Sequence, residues 1–436
     1  MLVNEGLVAR HVEDIAFLWT RRRAVLRANR LTHAERLALE SRLDAHIEAA
    51  SLAGETAQRS AIAALEFRRD PGIAFAAAVL TIVGGNESAR QRTLEAVGWD
   101  EGALAALVSA IGWSTFADVD PILAGWSRAA DERCLLLSIA GSSSHRRSAG
   151  DAVARGLRSA RAAVRRAAAK AAGELGARQL TGSLTELLGD TDAGARFQAA
   201  RALARFGDPC PAVRDVLLEV SESGGTLAER AVAALIHLVA EEGLSLFRRW
   251  AVAEPSRRLA LVAAEILGSR DLIESLIPWM ADDGIARSAG EAFRAITGAD
   301  LVDHHLSRPR PAHVPGDPND EPEDPCVELP VDYDAPFPSA AAVAAWWERS
   351  SAQYASGIRY LDGHPVGAHQ RPFDAEHIDH LRTLAQCGRP RHRTIAAGAL
   401  AQARPDRTTI ETHAFASRGH LLPGWEAWMD GPTLDH

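Results

Sequence analysis

The chain has 436 residues, which is too long for one compact hydrophobic core, so the sequence predicts two or three domains or one extended array. Its formal net charge of −9 disfavours a surface that binds nucleic acid throughout and favours a protein partner, in particular a basic one. No apolar run reaches the roughly 18 residues of a membrane span, and the N-terminus has acids where a signal peptide needs a basic start. The four cysteines have no paired spacing, so we expect a reduced, cytoplasmic protein without a membrane-bound part.

Residues 1–66 have the pattern of two or three helices. Ile15, Leu18 and Trp19 recur at helical spacing, and Thr32 is placed to cap a second helix. We therefore predict an N-terminal helical cap over this segment.

Residues 67–300 contain Ala-rich helical patterns that recur about every thirty residues, each closed by a small residue. The closing residues are Gly84, Gly112, Gly141, Gly176, Gly207, Ala240, Gly268 and Gly298. The clearest copies are 163–176, 195–207, 256–268 and 285–298, and second helices with a Leu/Val stripe follow at 180–190, 211–220 and 271–280. This period predicts an all-α solenoid, in which each helix pair buries its apolar face only against its neighbours.

Residues 301–338 change composition sharply. From Arg308 to Pro338 the chain has nine prolines and eight acids against two arginines. Proline at this density opposes regular helix, and the acids repel one another, so we predict an extended linker or a strap on the surface.

Residues 339–436 predict a small C-terminal helical region. A helix restarts at 339–354, a loop or short strand pair follows, and 374–404 has the pattern of one more helix pair.

Two pairs of tryptophans lie in this last region, Trp346 with Trp347 and Trp425 with Trp428. Such residues can stack on bases or anchor a partner. Tryptophans on a helix that also bears Val343 are more often part of a core, so we expect both pairs to pack inside.

The repeats resemble HEAT repeats of the short bacterial type, most clearly at LLGDTDAGARFQAARALARFGDP (187–209). The blocks HVEDIAFLWTRRRAVL (11–26) and AVAAWWERSSAQYASGIRYLDG (342–363) also resemble a narrower proteobacterial family of HEAT-repeat proteins. Genes of that family lie beside type VI secretion spike and effector genes. The resemblance therefore implies an α-solenoid that acts as an immunity protein or as a loading adaptor.

Charge is segregated between the two kinds of helix over 163–298. The first helices carry eleven basic residues against four acids, and the second helices with their turns carry fourteen acids against five arginines. Second helices line the inner surface of a HEAT array, so the resemblance implies an acidic inner wall that suits a cationic ligand. The candidate partner-binding residues are Glu186, Asp215, Glu219, Glu222, Glu242 and Glu274. The alternative is that oppositely charged helices only complement each other.

Motifs for catalysis are absent from the sequence, which has no phosphate-binding GxxxxGK[ST], no GxSxG and no HExxH. Ser143 and His145 have the residue types of a nucleophile and a base, but neighbouring loop residues of this kind are usually turn chemistry. Cys210 and Cys326 have no basic neighbours that would lower a thiol pKa, so we expect both to be inert.

A metal site is the other chemistry considered. His377 and His380 lie three apart on a predicted helix, and His369 or Asp374 is a possible further ligand. Without a fixed third ligand, a solvated polar face is the better interpretation, and we predict no metal and no cofactor.

The leading hypothesis is thus a non-enzymatic immunity protein that binds and neutralises a basic type VI effector, such as a nuclease toxin. The first alternative is an adaptor that loads an effector onto the spike. The second alternative is nucleic-acid binding along the basic first helices, which the negative net charge disfavours.

Overall fold

The computed structural model describes residues 4–26, 31–208, 210–225, 227–314, 332–368, 374–415 and 422–429. Apart from two short strand pairs, the regular structure of these residues is helical, which confirms the predicted all-α solenoid-like fold. The chain divides into two compact units. Unit 1 consists of the described residues of 4–26, 32–208 and 404–429, and unit 2 consists of Leu31 and the described residues of 210–403. The two units are defined by contacts between residues. The four segments predicted from the sequence (1–66, 67–300, 301–338 and 339–436) are defined by composition and pattern, so the two divisions have different boundaries.

Unit 1 is built from two rows of helices. Its helices are α1 (Glu5–Val25), α2 (His33–Ser51), α3 (Glu55–Phe67), α4 (Pro71–Ala78), α5 (Glu87–Val97), α6 (Glu101–Trp113), α7 (Phe116–Trp126), α8 (Glu132–Ser144), α9 (Ala152–Leu157), α10 (Ala162–Leu175), α11 (Thr181–Glu186) and α12 (Ala193–Arg205). A π-helical turn extends α4. The first row runs α1, α4, α6, α8, α10 and α12, each packed on the next, and α7, α9 and α11 pack on helices of this row.

Unit 2 continues the same alternation of helices along the chain. Its helices are α13 (Pro211–Glu222), α14 (Ala228–Leu238), α15 (Gly243–Val252), α16 (Arg257–Leu267), α17 (Ile273–Trp279), α18 (Ala286–Thr297), α19 (Ala340–Ser350), α20 (Ala375–Cys387) and α21 (Pro390–Ala403). The first helices α14, α16 and α18 form one layer, and the second helices α13, α15 and α17 each pack on the first helix that follows.

Local signals in the sequence place many of the helix ends. Thr32 and Glu35 form a reciprocal capping box at the start of α2, as predicted for Thr32. Gly176, Gly268 and Gly298 end α10, α16 and α18 in the left-handed conformation, with φ of 69°, 60° and 71°. Glycine is favoured there because other residues lose energy at positive φ.

Two predicted closing residues lie in the last turn of a helix rather than after it. Gly112 is the second-last residue of α6, and Gly141 is the fourth-last residue of α8. A Cβ atom on Gly141 would lie 2.9 Å from Cγ2 of Ile111, so this glycine lets α8 approach α6 closely. The glycine that suggested a turn at this position therefore indicates close packing between two helices.

The predicted linker is structured at its two described ends. Strand β1 (Ser307–Arg308) pairs antiparallel with β2 (Phe337–Pro338), which packs on α18. Residues 315–331, with Cys326, lie outside the described part of the chain.

A β-hairpin and the last helix pair cover the first-helix layer of unit 2. Strands β3 (Ile358–Leu361) and β4 (His364–Ala368) form the predicted strand pair, and α20 and α21 are the predicted helix pair. Tyr360 donates its backbone N–H to the carbonyl of Gly268 at 2.8 Å, and Arg391 of α21 lies 3.0 Å from buried Glu265 of α16. Residues of α16 and α18 are consequently almost all buried.

The C-terminal tail, defined as the described residues of 404–429, belongs to unit 1 and contains the short helix α22 (Glu426–Met429). It lies across the first row of helices. Thr409 donates its backbone N–H to the carbonyl of Glu174 in α10 at 2.8 Å, and the ring of Phe415 lies 3.7 Å from that of Trp113 in α6. Farther along the same row, Arg22 of α1 donates to a tail carbonyl.

Among the described helices, none combines the length and the apolar character that crossing a bilayer requires.

Candidate partner-binding surface

The six acidic residues that the sequence suggests for partner binding are all exposed. Asp215, Glu219 and Glu222 lie on α13, Glu242 directly precedes α15, Glu274 lies on α17, and Glu186 ends α11. The first five belong to the second-helix layer of unit 2, whereas Glu186 belongs to unit 1. Residues 211–222, 240–252 and 270–279, which make up that layer, are called here the second-helix face.

Two of these carboxylates are paired with arginines of the neighbouring repeat. Arg214 donates to both oxygens of Glu242, at 3.1 and 2.6 Å, and Arg249 lies 2.7 Å from Glu222. Trp250 donates its indole N–H to the same Glu222 carboxylate at 3.4 Å. These arginines were not predicted from the sequence, although Arg214 and Glu242 are 28 residues apart, close to the repeat length. Residues one repeat apart stack as neighbours, so this spacing was the available signal.

The second-helix face is nevertheless net acidic, with seven acids against four arginines. Asp215 and Glu274 are exposed and make no ion pair with any described residue. Val252, on the same face, is 82% exposed. An apolar side chain among charged neighbours matches the composition of protein interfaces, in which apolar contacts are surrounded by a polar rim.

The arginines of the first helices in unit 1 are engaged with the acidic turns. Arg165 of α10 donates to both carboxylate oxygens of Asp190, at 2.6 and 2.8 Å. Arg166 lies 3.5 Å from Asp192, which also caps α12. These contacts support the alternative interpretation of the charge segregation for the first helices, because their basic side chains link successive helices of the stack.

Comparison with known proteins agrees with this repeat arrangement. Residues 151–236 match the family model for HEAT repeats, and this segment contains the whole stretch at 187–209 that resembles such repeats. No curated protein matches the chain. Residues 151–236 are therefore similar to HEAT repeats, and the described helices form an all-α helical-repeat scaffold.

The first helices of each unit are covered by other parts of the same chain. In unit 1 the C-terminal tail lies across them, and Arg205 of α12 donates to the carbonyl of Arg407. In unit 2 the hairpin and α21 cover α16, where Arg391 faces Glu265. This covering disfavours nucleic-acid binding along the first helices, which the sequence offered as an alternative.

Ser143 and His145 do not face each other as a nucleophile and a base. The hydroxyl of Ser143 donates to Glu174 at 2.7 Å, and Nε2 of His145 lies 2.9 Å from the carbonyl of Ile111. A carbonyl only accepts, so Nε2 carries the proton. Burial also lowers the pKa of His145. These residues close a helix end, as the turn interpretation predicted.

His377 and His380 are each engaged with a different acceptor. Nδ1 of His377 lies 3.0 Å from the carboxylate of Asp374, and Nε2 of His380 lies 3.3 Å from the carbonyl of Leu361. The third residue considered, His369, lies outside the described residues. The two rings therefore share no acceptor.

The tryptophans pack into the protein as expected. Trp347, Trp425 and Trp428 are buried, and Trp346 is half-buried with its ring 5.5 Å from that of Phe293. These rings are consequently not free platforms for bases.

Among the described cysteines, Cys134 has a shifted pKa, and the shift does not activate its thiol. Burial raises the pKa of Cys134 to about 11, which keeps its thiol protonated at neutral pH. Cys210 is half-buried.

Proposed function

We propose that this chain is a non-enzymatic scaffold that binds a basic protein on its second-helix face, and that it acts as an immunity protein against a type VI secretion effector. One observation carries the binding proposal. The second-helix face is exposed and net acidic, whereas the first helices of both units are covered by the chain itself.

Electrostatics explains why such a face suits a basic partner. Carboxylates that pair with no described cation, such as Asp215 and Glu274, attract a cationic surface and repel the phosphates of nucleic acid. The arginine pairs at Glu222 and Glu242 link neighbouring helices. They also neutralise part of the charge of those two carboxylates, which then attract a cationic partner less strongly. We therefore expect Asp215 and Glu274 to contribute more to partner attraction than Glu222 and Glu242.

The immunity role rests on the resemblance to the family found beside type VI effector genes. A nuclease toxin has a cationic cleft for its substrate, and an acidic wall can cover that cleft and compete with phosphate. The toxin would then be held inactive by occlusion, without any chemistry on the part of its inhibitor.

The binding test uses the double variant Asp215→Lys/Glu274→Lys and an effector encoded beside the gene, measured by calorimetry at two salt concentrations. We expect affinity to fall by on the order of 10-fold, with a weaker salt dependence, because two attractive charges become repulsive. The control is Glu13→Lys/Asp120→Lys, which makes the same charge change at exposed positions of unit 1. Equal affinities for the two double variants would move the binding site away from the second-helix face.

The role is tested separately in cells. Co-expression of the chain should restore growth in the presence of the effector, and deletion of the gene should make the producing strain sensitive to its siblings. Loss of effector delivery without self-poisoning would contradict immunity and indicate the adaptor role instead.

A further inference from the structure

Three potential metal ligands converge between the first two helices of unit 1. Nδ1 of His11 on α1 lies 3.1 Å from Nδ1 of His46 on α2, and that second nitrogen lies 3.5 Å from Oδ2 of Asp14. All three ligand atoms lie within 4.8 Å of one another, and all three residues are half-buried. They meet because His11 and Asp14 are three residues apart and so share one face of α1.

The packing of the two helices fixes the positions of these side chains. Val12 and Ile15, which alternate with the ligands on α1, are 1% and 0% exposed. Farther along the helix pair, Arg22 of α1 lies 2.8 Å from Glu40 of α2, and both side chains are buried. These buried contacts fix α1 relative to α2. A metal ion beside His11 would therefore bind side chains that are already in place.

We propose that His11, Asp14 and His46 bind a divalent transition-metal ion of the Zn²⁺ class, with water completing the coordination. Two imidazole nitrogens and one carboxylate oxygen are the ligand types that zinc takes in open sites. Zn–N bonds of about 2.0–2.1 Å at a tetrahedral angle place two nitrogens about 3.3 Å apart, which is close to the 3.1 Å between the two Nδ1 atoms.

The contact between the two rings has one competing explanation. One neutral imidazole can donate from Nδ1 to the other, with Asp14 as a third polar neighbour, and this arrangement needs no ion. The two explanations predict different results when metal is added. A metal site binds the ion and is stabilised by it, whereas a hydrogen-bonded histidine pair is not stabilised by added metal.

A second histidine pair in unit 2 provides an internal comparison. The rings of His364 and His380 stack with centroids 4.3 Å apart. Nδ1 of His364 lies 2.9 Å from the carbonyl of Asp362, and Nε2 of His380 lies 3.3 Å from that of Leu361. These nitrogens face backbone acceptors rather than each other, so this pair is a suitable control.

The experiment uses the full-length chain without an affinity tag, stripped of metal with a chelator and titrated with Zn²⁺ by calorimetry and with Co²⁺ by visible absorption. We expect one ion per chain, an intense Co²⁺ spectrum typical of low coordination number, and a higher unfolding temperature in Zn²⁺. His46→Gln should weaken binding at least about 10-fold and abolish the temperature shift. His380→Gln should leave both unchanged.

Asp14→Asn serves as a second variant if His46→Gln disturbs the helix pair, because Asp14 is more exposed and its amide analogue is nearly isosteric. It should unfold like the unmodified chain without metal and bind Zn²⁺ more weakly. Absence of binding by the unmodified chain, or equal affinity in the unmodified chain and His46→Gln, would overturn the proposal in favour of the hydrogen-bonded pair.

Discussion

Nη2 of Arg146 lies 2.9 Å from Oε2 of Glu411, although the two residues are 265 positions apart in the chain. Arg146 also donates from Nε to the carbonyl of Thr409 at 2.8 Å and lies 3.3 Å from the carboxylate of Glu174. Its side chain is 4% exposed. This arginine thus connects the end of α8 with α10 and the C-terminal tail in one buried cluster.

The substitution Arg146→Met should destabilise unit 1 by about 3–5 kcal/mol, because it removes the main counter-ion of Glu411 and one of the two cationic partners of Glu174, both of which are largely buried. Denaturation by urea, followed by circular dichroism, measures this effect. The control is Arg147→Met, because Arg147 is adjacent and pairs with exposed Glu426 of the same tail. This control should change stability by less than about 1 kcal/mol. Equal losses in the two variants would show that the buried cluster is not what holds the tail.

The same cluster predicts a loss of stability in acid. Burial opposes ionisation of Glu411, but the charge of Arg146 and a hydrogen bond from His413 outweigh it and hold its pKa well below its ordinary value of 4.5. A carboxyl group with a lowered folded-state pKa stabilises the fold above its unfolded pKa, and this contribution is lost as the pH falls below about 4.5. Glu411→Gln should therefore be less stable than the unmodified chain at pH 7 and approach it at low pH. Glu426→Gln, at an exposed position, should show no such pH-dependent difference.

Glu265 should show the opposite dependence. Burial raises its pKa from 4.5 to about 7, even though Arg391 lies 3.0 Å away. The folded state then binds the proton more tightly than the unfolded state, so the contribution of Glu265 is complete below pH 4.5 and is lost as the pH rises through 7. Relative to the unmodified chain, Glu265→Gln should gain about 3 kcal/mol of stability between pH 4.5 and 8.

Urea denaturation of both chains across this pH range measures the gain. Glu229→Gln is the matched control, because Glu229 also faces Arg391 but its side chain is 55% exposed. It should track the unmodified chain at every pH. A stability of Glu265→Gln that falls with rising pH would mean that Arg391 keeps the carboxylate ionised.

The glycines that end repeats differ in what surrounds them. Gly207 and Gly268 both have positive φ, but a Cβ on Gly207 meets no atom within 4 Å, whereas one on Gly268 would lie 2.1 Å from the carbonyl oxygen of Tyr360. Gly207→Ala should cost about 1–2 kcal/mol of backbone strain. Gly268→Ala should cost about a further 1–3 kcal/mol, because the hairpin must shift. Thermal unfolding of the two variants tests this, and equal costs would show that the hairpin contact contributes nothing.

The elements that sequence predicts well are those with local causes. Thr32 caps α2 by accepting the backbone N–H of Glu35, three residues later in the chain. Gly176 ends α10 through its own left-handed backbone conformation. The repeat period also places α10, α12, α16 and α18, since each pattern is complete within about fifteen residues. Gly112 and Gly141 lie in the last turn of their helices rather than after it, because a glycine marks both turns and close helix contacts.

The candidate sites depend on contacts between distant segments, and this is why much of them was not predicted. His11 and His46 are 35 residues apart, and only the packing of α1 on α2 brings their rings together. The pairing of Arg249 with Glu222 likewise requires two second helices to be neighbours. The acidic character of the second-helix face was visible because it is a property of composition, but its arginine pairs were not.

The position of the C-terminal tail in unit 1 has a consequence for biosynthesis. Thr409 and Phe415 contact α10 and α6, which leave the ribosome more than two hundred residues earlier. The surface around Trp113 in the nascent chain therefore stays uncovered until residues 404–429 have been synthesised. Premature termination after α21 would remove the C-terminal tail from unit 1, although the helices of that unit are made first.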